Sequence, residues 1–210
     1  MSMLSFETSG NFSDNYKFLI GSILPRPIAW VSTLNSDGSN NLAPFSFFTA
    51  VSAKPMIIAF CPMIRTSTGK KKDTVINIER EKEFVINFVT EELTEKCNLS
   101  STELEYGQDE FTFAGLSSLA SELVKARRVG ESPIHFECKL RDILSYGESV
   151  GSGRLITGEV VKVHVDQKLY HEGKILTQKF KPVGRGSGND WFKCDQPFEL
   201  ERLTKVQIQK

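Results

Sequence analysis

Two apolar runs, residues 28–34 and 56–61, read as buried strands, and what lies between them limits the folds this chain can adopt. The intervening segment, Asn41-Leu-Ala-Pro-Phe-Ser-Phe-Phe-Thr, is apolar and aromatic, yet it carries Pro44 and small hydroxyls. Proline removes a ladder donor, so Pro44 belongs on an edge or at a bulge. Bulges re-aim side chains and free backbone groups, often beside a ligand. On spacing alone, an ordinary core strand with an irregular start is the favoured reading of this segment.

The rest of the chain follows the same β logic. Residues 35–39, Asn-Ser-Asp-Gly-Ser, form a turn in which Asp37 and Gly38 supply left-handed geometry. The returning strand spans 44–52, and Lys54-Pro55 breaks it before the third strand. Tight connections between three strands predict antiparallel β and not alternating βαβ units. Downstream, 83–89 alternates as a strand, with Phe84, Ile86 and Phe88 on one face. Further strands are expected at 134–143, 154–165 and 174–180. Short helices are expected at 16–23 (a helix or a turn), 75–80 with Asp73 as N-cap, 91–99 after Thr90, and 119–126. Residues 102–115, acidic and aromatic, look like a surface excursion. Six or seven strands with a few short helices make a mainly β chain, a β-barrel with helical covers. At 210 residues one domain is expected, with a barrel core over about 15–190 and a tail from about 190 to 210.

Composition narrows the partners. The formal net charge is zero, so nothing favours nucleic acid or an anionic membrane surface. Cys61, Cys97, Cys138 and Cys194 are far apart and include no CxxC pair, which disfavours zinc or a dithiol centre. Cys61 and Cys138 are expected to pack as small apolar residues. The N-terminus lacks the basic and apolar regions of a secretory leader, and no run approaches the roughly 20 apolar residues of a membrane span. A cytoplasmic chain is expected.

The common catalytic signatures are missing. Gly184-Arg-Gly-Ser-Gly188 lacks the dinucleotide spacing, and Thr68-Gly69-Lys70 lacks the earlier glycine of a P-loop. His135, His164 and His171 are read as lying apart. The remaining materials suit a flavin. Residues 43–48 offer a flat apolar slot with backbone groups at its edge. Arg65-Thr-Ser-Thr and Lys72-Asp-Thr, leading into a helix, offer hydroxyls, cations and N–H groups for a phosphate. On chemistry alone, a hydroxyl-rich loop with a capped helix is the commoner reading of these residues.

A resemblance adds to this. Arg26-Pro-Ile-Ala-Trp-Val-Ser-Thr, Asn41-Leu-Ala-Pro-Phe-Ser, Lys72-Asp-Thr-Val-Ile-Asn-Ile, Glu83-Phe-Val-Ile-Asn-Phe, Glu131-Ser-Pro-Ile-His-Phe-Glu-Cys, Gly158-Glu-Val-Val and Pro182-Val-Gly-Arg together resemble the flavin reductase-like family. The resemblance implies the FMN-binding split barrel, a Greek-key antiparallel barrel. It implies that Asn41, Ala43, Pro44, Phe45, Ser46, Phe47 and Phe48 lie along the isoalloxazine, flanked by Trp30, Val31, Ser32 and Thr33. Thr66, Ser67, Thr74 and Lys72, beside Asp73, would take the FMN phosphate, with Arg26 opening the first strand. It also implies a homodimer with the flavin near the subunit boundary, where Trp191 would stand. Here the family's Pro-Val-Gly-Arg-Leu-Gly-Gly followed by an aromatic reads Pro182-Val-Gly-Arg-Gly-Ser-Gly-Asn-Asp-Trp.

The function this implies is NAD(P)H-dependent flavin reduction or FMN-mediated electron transfer to an unspecified acceptor, with FMN preferred over FAD. Hydride passes directly between stacked rings, so no side-chain acid, base or metal is needed. The alternatives are a non-catalytic FMN carrier or sensor, and a structural dimer without cofactor.

Overall fold

The structure is a computed structural model that describes residues 2–8 and 12–202. Helix α1 (Phe12–Ser22) precedes strands β1 (Ala29–Leu34), β2 (Asn40–Phe45), β3 (Phe48–Ala53) and β4 (Met56–Phe60). Helix α2 (Asp73–Glu81) leads to β5 (Glu83–Asn87). A short 3-10 turn and α3 (Thr94–Leu99) follow, then α4 (Glu110–Phe113), β6 (Ser118–Leu119) and β7 (Arg128–Val129). The long hairpin β8 (Ile134–Ser145) and β9 (Arg154–Val165) comes next. The chain finishes with β10 (Tyr170–His171), β11 (Lys174–Ile175), α5 (Thr177–Phe180), β12 (Val183–Arg185) and β13 (Trp191–Lys193).

Seven strands form one sheet in the order β2-β1-β5-β8-β9-β4-β3, and every neighbouring pair is antiparallel. The two edges, β2 and β3, are consecutive in sequence, with Ser46 and Phe47 alone between them. Three Cα–Cα steps of about 3.8 Å bring those edges within roughly 11 Å of each other. The sheet must therefore curl on itself, and the covalent chain closes a barrel that no ladder closes there. The expected mainly β split barrel is what forms.

β1 buries both faces, which explains its unbroken apolar run. Ala29 and Val31 face the barrel interior with Phe45, Phe60, Phe84, Ile86, Cys138 and Ile156. Trp30 faces the other way, onto Leu42, Val89, Leu93, Cys97 and Phe111. Helix α2 lays Val75 and Ile78 on the interior cluster and so plugs the barrel beside β1 and β2.

Several sequence expectations change. The strand read over 44–52 is two strands bent at Ser46 and Phe47. In the first turn only Gly38 has positive φ, and Asp37 instead accepts from the Ser39 N–H and hydroxyl. Residues 119–126 are not helical. Their N–H groups are taken by buried carboxylates: Glu122 and Leu123 donate to Glu137, and Lys125 donates to Glu83. Residues 174–180 divide into β11 and α5, and the glycine-rich loop of the tail joins the hairpin β12–β13. The excursion at 102–115 holds the unforeseen α4. His135 and His164 do not lie apart, because they are register partners with rings 6.1 Å apart, and His164 Nε2 meets the buried Glu137 Oε1 at 2.6 Å. Cys138 packs in the barrel as expected, whereas Cys61 is only half-buried.

Helix α4 covers the β2 edge with a titratable contact. The Leu42 N–H donates to Glu110 Oε2 at 3.0 Å, and burial pushes the Glu110 carboxyl up to about 7. The folded state therefore binds more protons than the unfolded chain between pH 4.5 and 7, so this group's stabilisation fades as pH rises through 7. His135, pushed by burial down to about 4, has the opposite slope between pH 4 and 6.5. Over the shared window the two offset each other. Glu110→Gln removes one of them: relative to the parent, its unfolding free energy is expected to rise by about 2–3 kcal/mol from pH 5 to pH 8. Urea melts at both pH values measure this, and a difference that stays flat contradicts the buried, neutral Glu110.

Candidate flavin site

The closing corner of the barrel opens a cleft of about 350 Å³, within the usual size range for a small-molecule site. The bend is pinned from two sides. The Cys61 N–H donates to the Phe47 carbonyl at 2.8 Å, and Arg26 Nε donates to Ser46 Oγ at 3.2 Å. Pro44, Phe45, Ser46 and Phe47 form one wall. Helix α1 adds Phe12 and Tyr16, whose rings stack at 5.7 Å, with Tyr16 6.4 Å from Phe47. Cys61, Met63 and Ile64 form the floor, and Arg65, Thr66, Lys72 and Glu103 the polar end.

That polar end is cationic and only partly neutralised. Lys72, and not Asp73 as expected, is the N-cap of α2; Asp73 is its first residue, and no side chain caps the helix among the described residues. The first N–H groups of a helix have no intrahelical acceptor and carry the positive end of its dipole. Burial lowers the Lys72 pKa and Arg65 lowers it further, while Lys72 Nζ stands 5.9 Å from the Phe45 ring centre. Among the described residues, Lys72 makes no ion pair with a carboxylate. Arg65 Nη2 holds Asp73 at 2.7 Å, but its buried Nε has no partner among the described residues. Glu103 is the opposing charge, and it accepts from Ser67 Oγ at 2.6 Å.

The expected site residues fall into two groups. Pro44, Phe45, Ser46, Phe47, Thr66 and Lys72 line the cleft. The others lie behind or beside it. Trp30 is fully buried, donating through Nε1 to Ser100 Oγ at 2.8 Å, and Val31 is in the barrel interior. Ala43 and Phe48 also pack on the interior cluster. Ser32 is tied to the Arg127 carbonyl at 2.5 Å. Thr33 Oγ1 accepts from Asn41 Nδ2 and Asn77 Nδ2, each at 3.0 Å, and Asn41 Nδ2 also reaches Thr74 Oγ1 at 3.0 Å. This buried network joins β1, β2 and α2, fixing the helix N-terminus against the cleft. Arg26 spends its guanidinium on the carbonyls of Ile20, Ile23 and Gly186, which ties α1 and the 186 loop to the bend. Trp191 lies across the 44–46 segment, in a separate smaller pocket.

Sequence reasoning missed Phe12, Tyr16, Cys61, Met63, Ile64 and Glu103. The aromatic pair at i and i+4 marks one helix face, a signal that was available at 12 and 16. Glu103 comes from an irregular segment with no periodic pattern.

The donor set fits a phosphorylated flavin. An aromatic and apolar slot, irregular backbone at its edge, and a desolvated lysine with a partnerless guanidinium nitrogen at one end are what a planar ring carrying an anionic tail requires. Fold and cleft together define a split-barrel flavoprotein.

The flavin reductase like domain matches residues 20–179, so the chain belongs to the flavin reductase-like family. Membership carries flavin binding and a flavin-related oxidoreductase function. An uncharacterized protein of Halalkalibacterium halodurans is 37% identical over 201 residues, covering 92% of this chain and 93% of that one. Among solved structures, nitrilotriacetate monooxygenase component B from Bacillus cereus has 33% identity and a TM-score of 0.90, covering 95% of this chain and all of the other. The 2-nitrobenzoate 2-nitroreductase NbaA of Pseudomonas fluorescens has 27% identity and a TM-score of 0.86, with 96% and 98% covered. Flavoredoxin of Desulfovibrio vulgaris, at 19% identity and a TM-score of 0.74 over 97% of this chain, shares the fold. No helix among the described residues is long and apolar enough to cross a membrane.

The network gives Thr74 a structural duty. Thr74→Val removes an acceptor of the Asn41 amide, so the flavin-free protein should lose roughly 0.5–1.5 kcal/mol of stability. A thermal melt of the flavin-free variant measures it. An unchanged midpoint beside a large loss of flavin affinity would instead make Thr74 a direct ligand.

Proposed function

We propose that this chain binds FMN and uses NAD(P)H to reduce it. The observation that carries the reading is the desolvated Lys72, without an ion-paired carboxylate among the described residues, at the N-terminus of α2 and the end of an aromatic cleft. Lys72, Arg65, Thr66 and the first N–H groups of α2 would hold the terminal phosphate. A monoester phosphate suits this end, because an adenylate would have to extend past it. Tyr16, Phe45 and Phe47 would pack against the ring, and the bent backbone at Ser46 would meet its polar edge. Thr33, Asn41 and Thr74 would keep the phosphate end in place from behind, with Asp73 holding Arg65. Bound FMN supplies two-electron hydride chemistry that the side chains cannot. The protein would contribute orientation and one open face of the ring.

Family membership supports the flavin, and the phosphate end supports FMN. The carrier reading keeps the same cleft and differs only in turnover. A second copy of the chain would cover the exposed apolar residues Phe18, Leu19, Ile23 and Leu24 at α1, next to the cleft; light scattering that gives the mass of one chain for the flavin-loaded protein would remove that part.

Anaerobic stopped-flow tests the reductase. FMN-loaded protein mixed with NADH or NADPH should lose its oxidised flavin absorbance in a fast phase whose rate saturates with one of the two. Bleaching no faster than free FMN with both would leave a carrier.

A further inference from the structure

Across the 44–46 segment from the flavin cleft lies a second pocket of about 160 Å³, bounded by Ile28, Pro44, Ser46, Asn98, Arg185 and Trp191. Pro44 and Ser46 belong to both cavities. The flavin reading assigns this pocket no occupant.

Its charge is unusual. Arg26 and Arg185 pair directly, N–H to carbonyl in both directions at 2.9 and 2.8 Å. The approach is close: a Cβ at Gly184 would stand 3.1 Å from the Arg26 carbonyl oxygen. Like charges opposite one another cost stability unless something neutralises them. Arg26 is satisfied by three carbonyls. Arg185 lies over the Trp191 ring at 4.7 Å and donates to the Gly188 carbonyl. Among the described residues neither arginine pairs with a carboxylate.

The remaining walls set the shape. Ile28 and the part of Trp191 that Arg185 leaves uncovered give an apolar wall, and Asn98 brings a carboxamide from α3. The helix end there does not repel an anion through open carbonyls: those of Cys97, Asn98 and Leu99 accept from Ser100, Ser101 and Thr102. A cavity near 150 Å³ holds one benzene-sized ring. A guanidinium grips a carboxylate through two parallel hydrogen bonds.

We propose that this pocket is a binding site for a small planar aromatic carboxylate, its ring on Ile28 beside the edge of Trp191 and its carboxylate on Arg185. The site rests on the flavin reading only for its position beside the cofactor. An occupant there touches Pro44 and Ser46, the residues that also line the flavin cleft.

Benzoate is the probe, titrated calorimetrically into flavin-free and FMN-saturated protein. Saturable binding is expected in both, at least ten-fold weaker for benzyl alcohol and at least ten-fold weaker in Arg185→Gln. FMN affinity in that variant should stay within two-fold. If Arg185→Gln does not fold, Asn98→Phe, at an exposed position on α3, fills the pocket and should abolish benzoate binding. Benzoate affinity unchanged in the variant, no saturable heat, or competition between FMN and benzoate for one site each overturns the proposal. Failure of FMN alone to bind, with benzoate still bound through Arg185, would fail the flavin reading and leave this site standing.

Discussion

Continuity of the chain across the two edges of one sheet governs this molecule. β2 and β3 sit at opposite ends of the strand order, and two residues join them. No flat sheet can meet that condition, so the barrel curls until its edges nearly touch. The join cannot be a regular ladder: Pro44 has no N–H, and the chain bends at Ser46. Backbone irregularity at this corner follows from topology. The cleft is the space the corner leaves, and Arg26 and Cys61 hold it open by pinning Ser46 and Phe47.

The second element is placement of positive charge. Holding a desolvated lysine beside an arginine costs free energy when no anion is bound. The fold meets that cost behind the cleft. Thr33, Asn41, Thr74 and Asn77 tie α2 to β1 and β2 through buried side-chain bonds, so the helix N-terminus cannot retreat. Glu103, reaching in from the 102–115 segment, supplies a carboxylate at that end of the cleft, beside the Asp73 carboxylate that Arg65 holds. In the proposed complex the phosphate would sit beside Glu103, which Ser67 holds.

The barrel could be read from the sequence because its strands are period-2 or doubly buried runs bounded by turn residues. The pair expected at 134–143 and 154–165 and the turn at 35–39 follow from that signal. The region 119–126 could not be read the same way. Its apolar spacing is helical, but Glu83 and Glu137, distant in sequence, capture the N–H groups a helix would need. The site was legible as a segment and not as a set of contacts. Residues 44–47, 66 and 72 line the cleft, while Trp30, Asn41 and Thr74 face interior partners on other elements. Which face of an alternating strand meets the ligand is decided by the register of β1 against β2 and β5. Likewise the proximity of His135 and His164 exists only because β8 and β9 pair in that register.

The central claim is that the cationic end of the cleft recognises a phosphate. Comparing FMN with riboflavin, which shares the ring and ribityl chain and lacks the phosphate, isolates that end. Fluorescence titration of the flavin-free protein should show FMN binding at least 100-fold more tightly, about 2.7 kcal/mol or more, with the gap narrowing as salt rises. Equal affinities for the two would contradict the account, because the lysine, the arginine and the helix N-terminus would then have no part in holding the cofactor.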